Sequence, residues 1–322
     1  MNRVAVYYLN IKSFGRATNS SAVSAAAYRA GERLHDERTG KTYDHSARQD
    51  IMHKEIVLPS RFANDNVSWA RDRAILWNMA EHAETRKNAR VAREYLVALP
   101  VELSPERQVS LTKAFAHELS DRYGFALDVA IHAPRDYPGS DPRNFHAHLL
   151  ATTREVQLQG LGSKTSMEWS DATRRAAGLG PAVGEFFHVR QRWADVTNEA
   201  LHDAQFQARI DHRTLRAQGI DREPYPHIPR AAFEMERHGY RSYQAERIRE
   251  EYAARVEARE RERERESEAR ARLAEKPKNL EEIRREAREN WLRMRQGQTA
   301  AAEAAPERSR AADVTREEDL SR

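Results

Sequence analysis

The sequence contains no cysteine. That absence excludes a disulfide framework, a thiolate-ligated zinc site and a cysteine nucleophile, and it fits a reducing cytosol. Long apolar runs are missing too. No stretch approaches the ~18 consecutive apolar residues that a membrane-spanning helix needs, so no membrane insertion is expected. The opening MNRVAVYYLNIKSFGR lacks the apolar core of a secretory signal. Charge of one sign is also scarce: 54 Lys and Arg stand against 50 Asp and Glu, a net charge of +4 at pH 7. Such a mild basic excess permits nucleic-acid binding without demanding it. What the chain does have is charge of both signs. Charged residues make up 32% and hydrophobic ones 39%, which predicts an exposed helix or tail beside one folded domain.

The residue pattern predicts an α+β fold, an antiparallel sheet of about five strands covered by helices. The expected strands are Arg3–Ile11, Ile51–Leu58, Ala92–Leu99, Ala126–Ala133 and His146–Val156. An Ala-rich helix is expected over Ser20–Leu34, after a polar turn at Ser13–Asn19, with Asn19, Ser20 or Ser21 as its cap. Val67–Ala89 reads as one amphipathic helix. A further helix opens at Ser104 and Pro105 and closes at Tyr123-Gly124. Asp171–Gly178 and Phe186–Ala208 also read as helical, and His212–Pro229 as loop. From about Tyr243 the apolar face disappears, and EYAARVEARERERERESEARARLAEK reads as a solvated helix held by Glu/Arg pairs one turn apart. Pro277 interrupts it and a second charged helix follows. The expected organisation is a domain over residues 1–242, a charged helical extension over 243–296 and a disordered tail over 297–322.

The chemistry centres on Phe145-His146-Ala147-His148-Leu149-Leu150. Side chains alternate faces along a strand, so His146 and His148 project from one face. On the preceding strand His132 shares a face with Asp128 and Ala130. If the two strands pair, three imidazoles converge. Neutral imidazoles suit Mn, Fe, Co, Ni or Zn better than Mg, and three protein ligands leave positions for substrate oxygens. The plainer reading is a set of ordinary strand histidines bonded to their neighbours. Tyr28 lies in SAVSAAAYRAGE, where the surrounding small residues allow a backbone or a DNA strand to come close. A phenol needs help to attack phosphorus at neutral pH; a metal-bound phosphate supplies it, and Arg29 and Arg33 are candidates to ease phenolate formation. Tyr28 is equally readable as the large residue of a core helix. Glu94 shares a strand face with Ala92, Leu96 and Ala98. It is a candidate to orient a ligand histidine or to accept the phenol proton, against a surface ion pair with Arg90 or Arg93. Arg86, Lys87, Arg90 and Arg93 form a basic cluster that, with Arg29, is a candidate DNA contact. His212–Arg222 is a candidate clamp on a single strand.

Taken in order, SAVSAAAYRAG, ETRKNARVAREYLVALP, IH followed by a loop and NFHAHLL, and RWADVTNEALHDAQFQARIDHRTLRAQGIDREP resemble the MobA/MobL relaxases, MobQ-type members of the HUH endonuclease superfamily. The resemblance covers about residues 1–230 and is specific only as a set. It implies that Tyr28 is the nucleophile and that His132, His146 and His148 are metal ligands. It also places a glutamate at position 94. The implied activity is nicking of single-stranded DNA at a transfer origin, with a 5′-phosphotyrosyl adduct, a free 3′-OH and reversible religation. The implied cofactor is a divalent metal, Mn or Mg first, with Zn, Co or Ni as alternatives. The implied partners are origin DNA, accessory relaxosome proteins and a type IV secretion coupling protein. The implied place is the bacterial cytoplasm, with export to a recipient cell on the DNA. Three alternatives stand beside this: a rolling-circle or transposition nickase, a non-catalytic DNA-binding relative, and a metallohydrolase that uses water.

Overall fold

The computed structural model describes residues 5–18, 21–135, 140–275 and 279–296. Packing divides the chain into two units, Met1–Ile220 and Asp221–Arg322. Composition changes near residue 242, but packing places the boundary earlier. The segment 221–242 is polar and loop-rich, so it gives no compositional signal of a break.

The first unit is an α+β fold around a six-stranded antiparallel sheet. Its strands are β1 (Leu9–Gly15), β4 (Ile51–Val57), β5 (Arg90–Ala98), β6 (Phe125–His132), β7 (His146–Gln157) and β8 (Gly160–Lys164). The order across the sheet is β1-β5-β7-β6-β4, and β8 pairs with β7. A separate hairpin joins β2 (Arg33–Asp36) to β3 (Lys41–Asp44). The sheet is covered on both faces, so its central strands are largely buried, and every residue of β6 is buried. On one face α4 (Pro105–Tyr123) and α6 (Ala182–Asp203) bury Phe115 and Trp193 against Leu127, Val129, Ile131 and Leu149. On the other, α1 (Ala22–Ala30) and α3 (Arg73–His82) bury Ala22, Val23, Ala26, Ala27 and Trp77 against Ala92, Ala126 and Leu150.

Several element boundaries differ from the sequence expectation. β1 starts at Leu9 and runs through the polar Ser13. It is an edge strand bonded only to β5, so a polar side is tolerated there. The Ala-rich helix is capped by the Ser21 hydroxyl and stops at Gly31, which adopts φ 58°. The chain then enters β2, a strand too short and polar to show a period. The expected 67–89 helix is broken at Asp72: α2 (Ser68–Arg71) ends there, and the Asp72 side chain accepts from the Ile75 amide to start α3. The α4 helix starts and stops as expected, with Ser104 capping and Gly124 left-handed. A short α5 (Asp171–Ala176) precedes α6.

The second unit contains α7 (Arg230–Arg237), which the pattern did not suggest, and α8 (Tyr243–Glu275). Pairs one turn apart line α8, among them Arg261–Glu257 at 2.7 Å. Arg255, Arg259 and Arg263 also reach across to Asp221 and Glu223. Residues 280–296 are helical, as expected; Pro277 and the tail from 297 lie outside the described residues. Among the described residues no helix is long and apolar enough to cross a membrane.

Candidate active site

Two neighbouring central strands set the histidine geometry. In the antiparallel β6–β7 ladder His132 stands directly opposite His146, and Ala130 opposite His148. The period of two then places all three imidazoles on the face that α1 covers. Ring centroids are 4.7 Å apart for His132–His148, 5.2 Å for His146–His148 and 5.3 Å for His132–His146. One nitrogen from each ring lies within 4.8 Å of the others. This spacing lets three donor atoms surround one cation.

The outer nitrogens are fixed. His146 Nδ1 donates to the Asn144 carbonyl at 2.9 Å, and His148 Nδ1 donates to Glu94 Oε1 at 2.6 Å. Each therefore keeps Nε2 unprotonated. His132 has the opposite tautomer: Nε2 donates to the Arg29 carbonyl at 2.7 Å, leaving Nδ1 as the acceptor. Arg48 Nη2 lies 3.2 Å from that Nδ1. Burial keeps all three rings neutral. It lowers His132 to about 3, with His148 and Arg48 adding to the effect, and His148 to about 4 against the pull of Glu94. His146 is lowered by the same cause. A neutral, buried, pre-oriented His₃ set fits a divalent transition metal.

Glu94 is fully buried. Its Oε1 accepts from His148 and from Arg29 Nε, and Lys12 Nζ is 2.8 Å from Oε2. Burial alone would raise its pKa, but the His148 hydrogen bond and the Arg29 guanidinium hold it well below the carboxylate range. Such a carboxylate is a weak base and a good orienter of a ligand imidazole.

Tyr28 sits in the last turn of α1. Both ends of this helix are tied to the first unit's core. At the start, the Ala22 amide donates to the buried Glu81 carboxylate at 2.7 Å and Ser21 Oγ donates to Asp36 at 2.7 Å. At the end, Lys54 Nζ donates to the Ala30 carbonyl at 3.1 Å. The small side chains of α1 let it lie close to the sheet. His45 meets the Tyr28 ring edge-on at 5.3 Å, and the Arg48 guanidinium lies 4.4 Å over its face. Arg48 Nη1 also donates to the Tyr28 carbonyl. One guanidinium thus touches both the tyrosine and the histidine cluster.

The profile of the MobA/MobL family matches residues 20–238. The chain belongs to the MobA/MobL family. It is 36% identical over 253 residues to mobilization protein MobL of Acidithiobacillus ferridurans, covering 73% of this chain and 64% of that one. It is 30% identical over 267 residues to a probable mobilization protein MobA of Bifidobacterium longum, covering 73% of this chain and 45% of that one. The chain therefore spans less than two thirds of the length of these MobA/MobL relatives. A chain solved in work on the molecular basis of vancomycin resistance transfer in Staphylococcus aureus superposes with a TM-score of 0.52 at 28% identity, over 65% of this chain and all of that one.

Within this MobA/MobL fold the structure brings Tyr28, Glu94, His132, His146 and His148 to one face of the sheet. It separates the basic residues expected on DNA. Arg29 is buried, bound to Glu94 and the Ala25 carbonyl and stacked 4.9 Å from Phe14. Arg93 is buried on the opposite face, 2.6 Å from Glu168. Neither offers a guanidinium to a phosphate at the surface. Arg33 is exposed and pairs with Asp44. Arg86, Lys87 and Arg90 are exposed. Arg86 and Arg90 line a cavity of about 460 Å³ with Arg154, Lys164, Glu84 and Glu168. Sequence reasoning missed His45, Arg48, Asp50 and Arg135. The first three lie in a polar stretch without period, and Arg135 opens a loop; only the Arg-x-Asp spacing at 48–50 was there to find.

Proposed function

We propose that this chain is the nicking domain of a conjugative mobilization relaxase, cutting one DNA strand by transesterification onto Tyr28. The observation that carries the reading is the shared guanidinium: Arg48 contacts the Tyr28 ring at 4.4 Å and His132 Nδ1 at 3.2 Å, so nucleophile and histidine cluster adjoin. The metallohydrolase alternative leaves this juxtaposition without a purpose.

His132, His146 and His148 would hold the metal, with His132 Nδ1, the nitrogen that Arg48 Nη2 faces, as the atom free to donate. A divalent metal bound there supplies Lewis-acid stabilisation of charge on the phosphate oxygens. The Tyr28 Oη attacks phosphorus and forms the new P–O bond as the bond to the 3′-oxygen breaks. The phenol proton passes to solvent and the departing 3′-oxygen takes one up, so no net proton is consumed. Arg48, over the ring face, favours the developing phenolate over the phenol. Glu94 keeps His148 in one tautomer and orientation. The phosphodiester energy is retained in the phosphotyrosine, so attack by the 3′-OH reverses the step without ATP. The mobilization named in the relatives above supports the further reading that the reaction acts on single-stranded DNA at a transfer origin, with relaxosome and secretion components of a donor cell's cytoplasm as the proposed partners.

The test is incubation of the protein and Mn²⁺ with supercoiled plasmid that carries its own replicon's origin. The expected product is a nicked circle with protein on the 5′ end, whose gel shift disappears on proteolysis. Tyr28→Phe keeps the ring packing and loses the adduct, with nicking down by at least about a thousandfold. Adduct formation by the Phe variant at the wild-type rate would falsify the assignment.

A further inference from the structure

Beside the tyrosine the chain forms a second, differently charged feature. Among the described residues, Asp50 is the only carboxylate lining a cavity of about 400 Å³ whose other walls are Ala47, Arg48, Gln49, Ala133, Pro134 and Arg135. Two guanidiniums share that carboxylate. Arg48 holds it in a fork, Nε to Oδ1 at 2.9 Å and Nη2 to Oδ2 at 2.6 Å. Arg135 Nε donates to the same Oδ2 at 2.7 Å. The described residues that line the cavity therefore carry one more positive than negative charge. The Ala133 amide donates to the Asp50 carbonyl at 2.8 Å, which fixes the start of β4 against the end of β6 and so sets the two guanidiniums side by side. Arg135 is 45% exposed and opens to solvent, while Arg48 is nearly buried and reaches the Tyr28 ring. Arg135 also interacts with the Tyr28 side chain itself.

We propose that Arg48 and Arg135 form a phosphate subsite for the DNA strand next to Tyr28, with Asp50 occupying it in the absence of DNA. The inference rests on the relaxase reading and adds where the strand is gripped. Guanidiniums match a phosphate with the same fork they present to a carboxylate. A strand phosphate has non-bridging oxygens to replace the two Asp50 oxygens. Unlike Asp50, it arrives from the open side of the cavity, where Arg135 is exposed. The pair also differs in kind from the exposed Arg86 and Arg90, whose cavity contains two carboxylates, Glu84 and Glu168. A brace and a subsite make opposite demands on Asp50. A brace needs the carboxylate. A subsite is weakened by it, because the carboxylate competes with the phosphate.

The experiment measures binding of the full chain to a labelled oligothymidylate of about a dozen nucleotides by fluorescence anisotropy, in chelator so that no cleavage intervenes, over a range of salt. Arg135→Ala should weaken binding by roughly three- to tenfold and reduce the log–log salt slope by about 0.7, the loss of one strand-phosphate contact. Asp50→Asn should tighten binding several-fold, the sign that a structural brace does not give. Arg135→Lys should fall between wild type and Arg135→Ala, since it keeps the charge and loses the fork. Unchanged affinity and slope in Arg135→Ala overturns the subsite and leaves the relaxase reading standing. Weaker binding in Asp50→Asn with an unchanged melting temperature overturns it too. Should Asp50→Asn fail to fold, the salt slope of Arg135→Ala decides alone. Wild-type protein that binds no single strand at all sinks both readings.

Discussion

At the scale of single residues, the candidate site works by removing choices of protonation and orientation. Glu94 is the clearest case. It is buried, it accepts from His148 and Arg29, and its pKa is held low. Glu94→Gln keeps the shape but no longer enforces the His148 tautomer. Mn²⁺ affinity should fall roughly 10- to 100-fold, read by calorimetry; affinity within about twofold of wild type would show that Glu94 is only a packing partner of Arg29. The histidines carry a pH signature of opposite origin. His132 is lowered to about 3 by burial, so the folded metal-free protein keeps it neutral where an unfolded chain, titrating near 6.5, takes up a proton. Its contribution to stability is complete above pH ~6.5 and is lost as pH falls toward 3. Urea unfolding of the metal-free protein should show a loss on the order of 1–2 kcal/mol from this residue between pH 7 and pH 5. His132→Asn should have a correspondingly flatter pH dependence, and parallel curves would mean that His132 is not held neutral by the fold. The three histidines and Glu94 could be grouped from the sequence because each lies on a strand whose period fixes its face; Tyr28 was singled out by the family resemblance, since its helix alone left it equally readable as a core residue. The roles of Arg29 and Arg93 were not legible, because a basic run gives no sign of which guanidiniums find buried carboxylates. Glu94 and Glu168 claim those two.

At the scale of elements, the sequence showed best what has period and stop signals. Strands β6 and β7, with their shared histidine face, and α4 between Ser104 and Gly124 stand almost as read. The failures fall where local pattern is overruled by distant partners. Strand β1 continues through Ser13 and Phe14 because β5 supplies the bonds. The β2–β3 hairpin is four residues on each side and mostly exposed, so no alternation of apolar residues marks it. The helix α1 ends at Gly31 although Glu32, Arg33 and Leu34 are acceptable helix residues. Its left-handed φ of 58° turns the chain into β2, and an added methyl would fall 2.3 Å from the tip of Ile51. Gly31→Ala should therefore destabilise the protein by about 1–2 kcal/mol, from the positive φ and the displaced Ile51 together. Chemical denaturation checks this. A change under a few tenths of a kcal/mol would mean that the turn relaxes freely and does not hold the tyrosine helix.

At the scale of the molecule, the chain divides by packing at Ile220, while its composition changes near residue 242. The charged rod α8 forms ion pairs along itself and with Asp221 and Glu223, all inside the second unit. A fragment ending at Ile220 should accordingly fold by itself, melt cooperatively within about 5 °C of the full chain and bind Mn²⁺ with similar affinity. A fragment that expresses unfolded, while one ending at Ser242 folds, would move the boundary to the place that composition indicated. One tie inside the first unit has a longer reach than its single hydrogen bond suggests. His132 Nε2 is bonded to the carbonyl of Arg29, the residue after the tyrosine. The sheet's ligand and the nucleophile's helix thus share one reference point, as two machined parts share a dowel. Evolution can lengthen the turn between β2 and β3, which makes no bond to either, without moving either part. It cannot add a residue within Ala22–Ala30 unless the new helix again delivers a carbonyl to that imidazole. Exchanges of segments between relatives should therefore succeed when the tyrosine helix travels with the strand that bears His132, and fail when the two come from different parents.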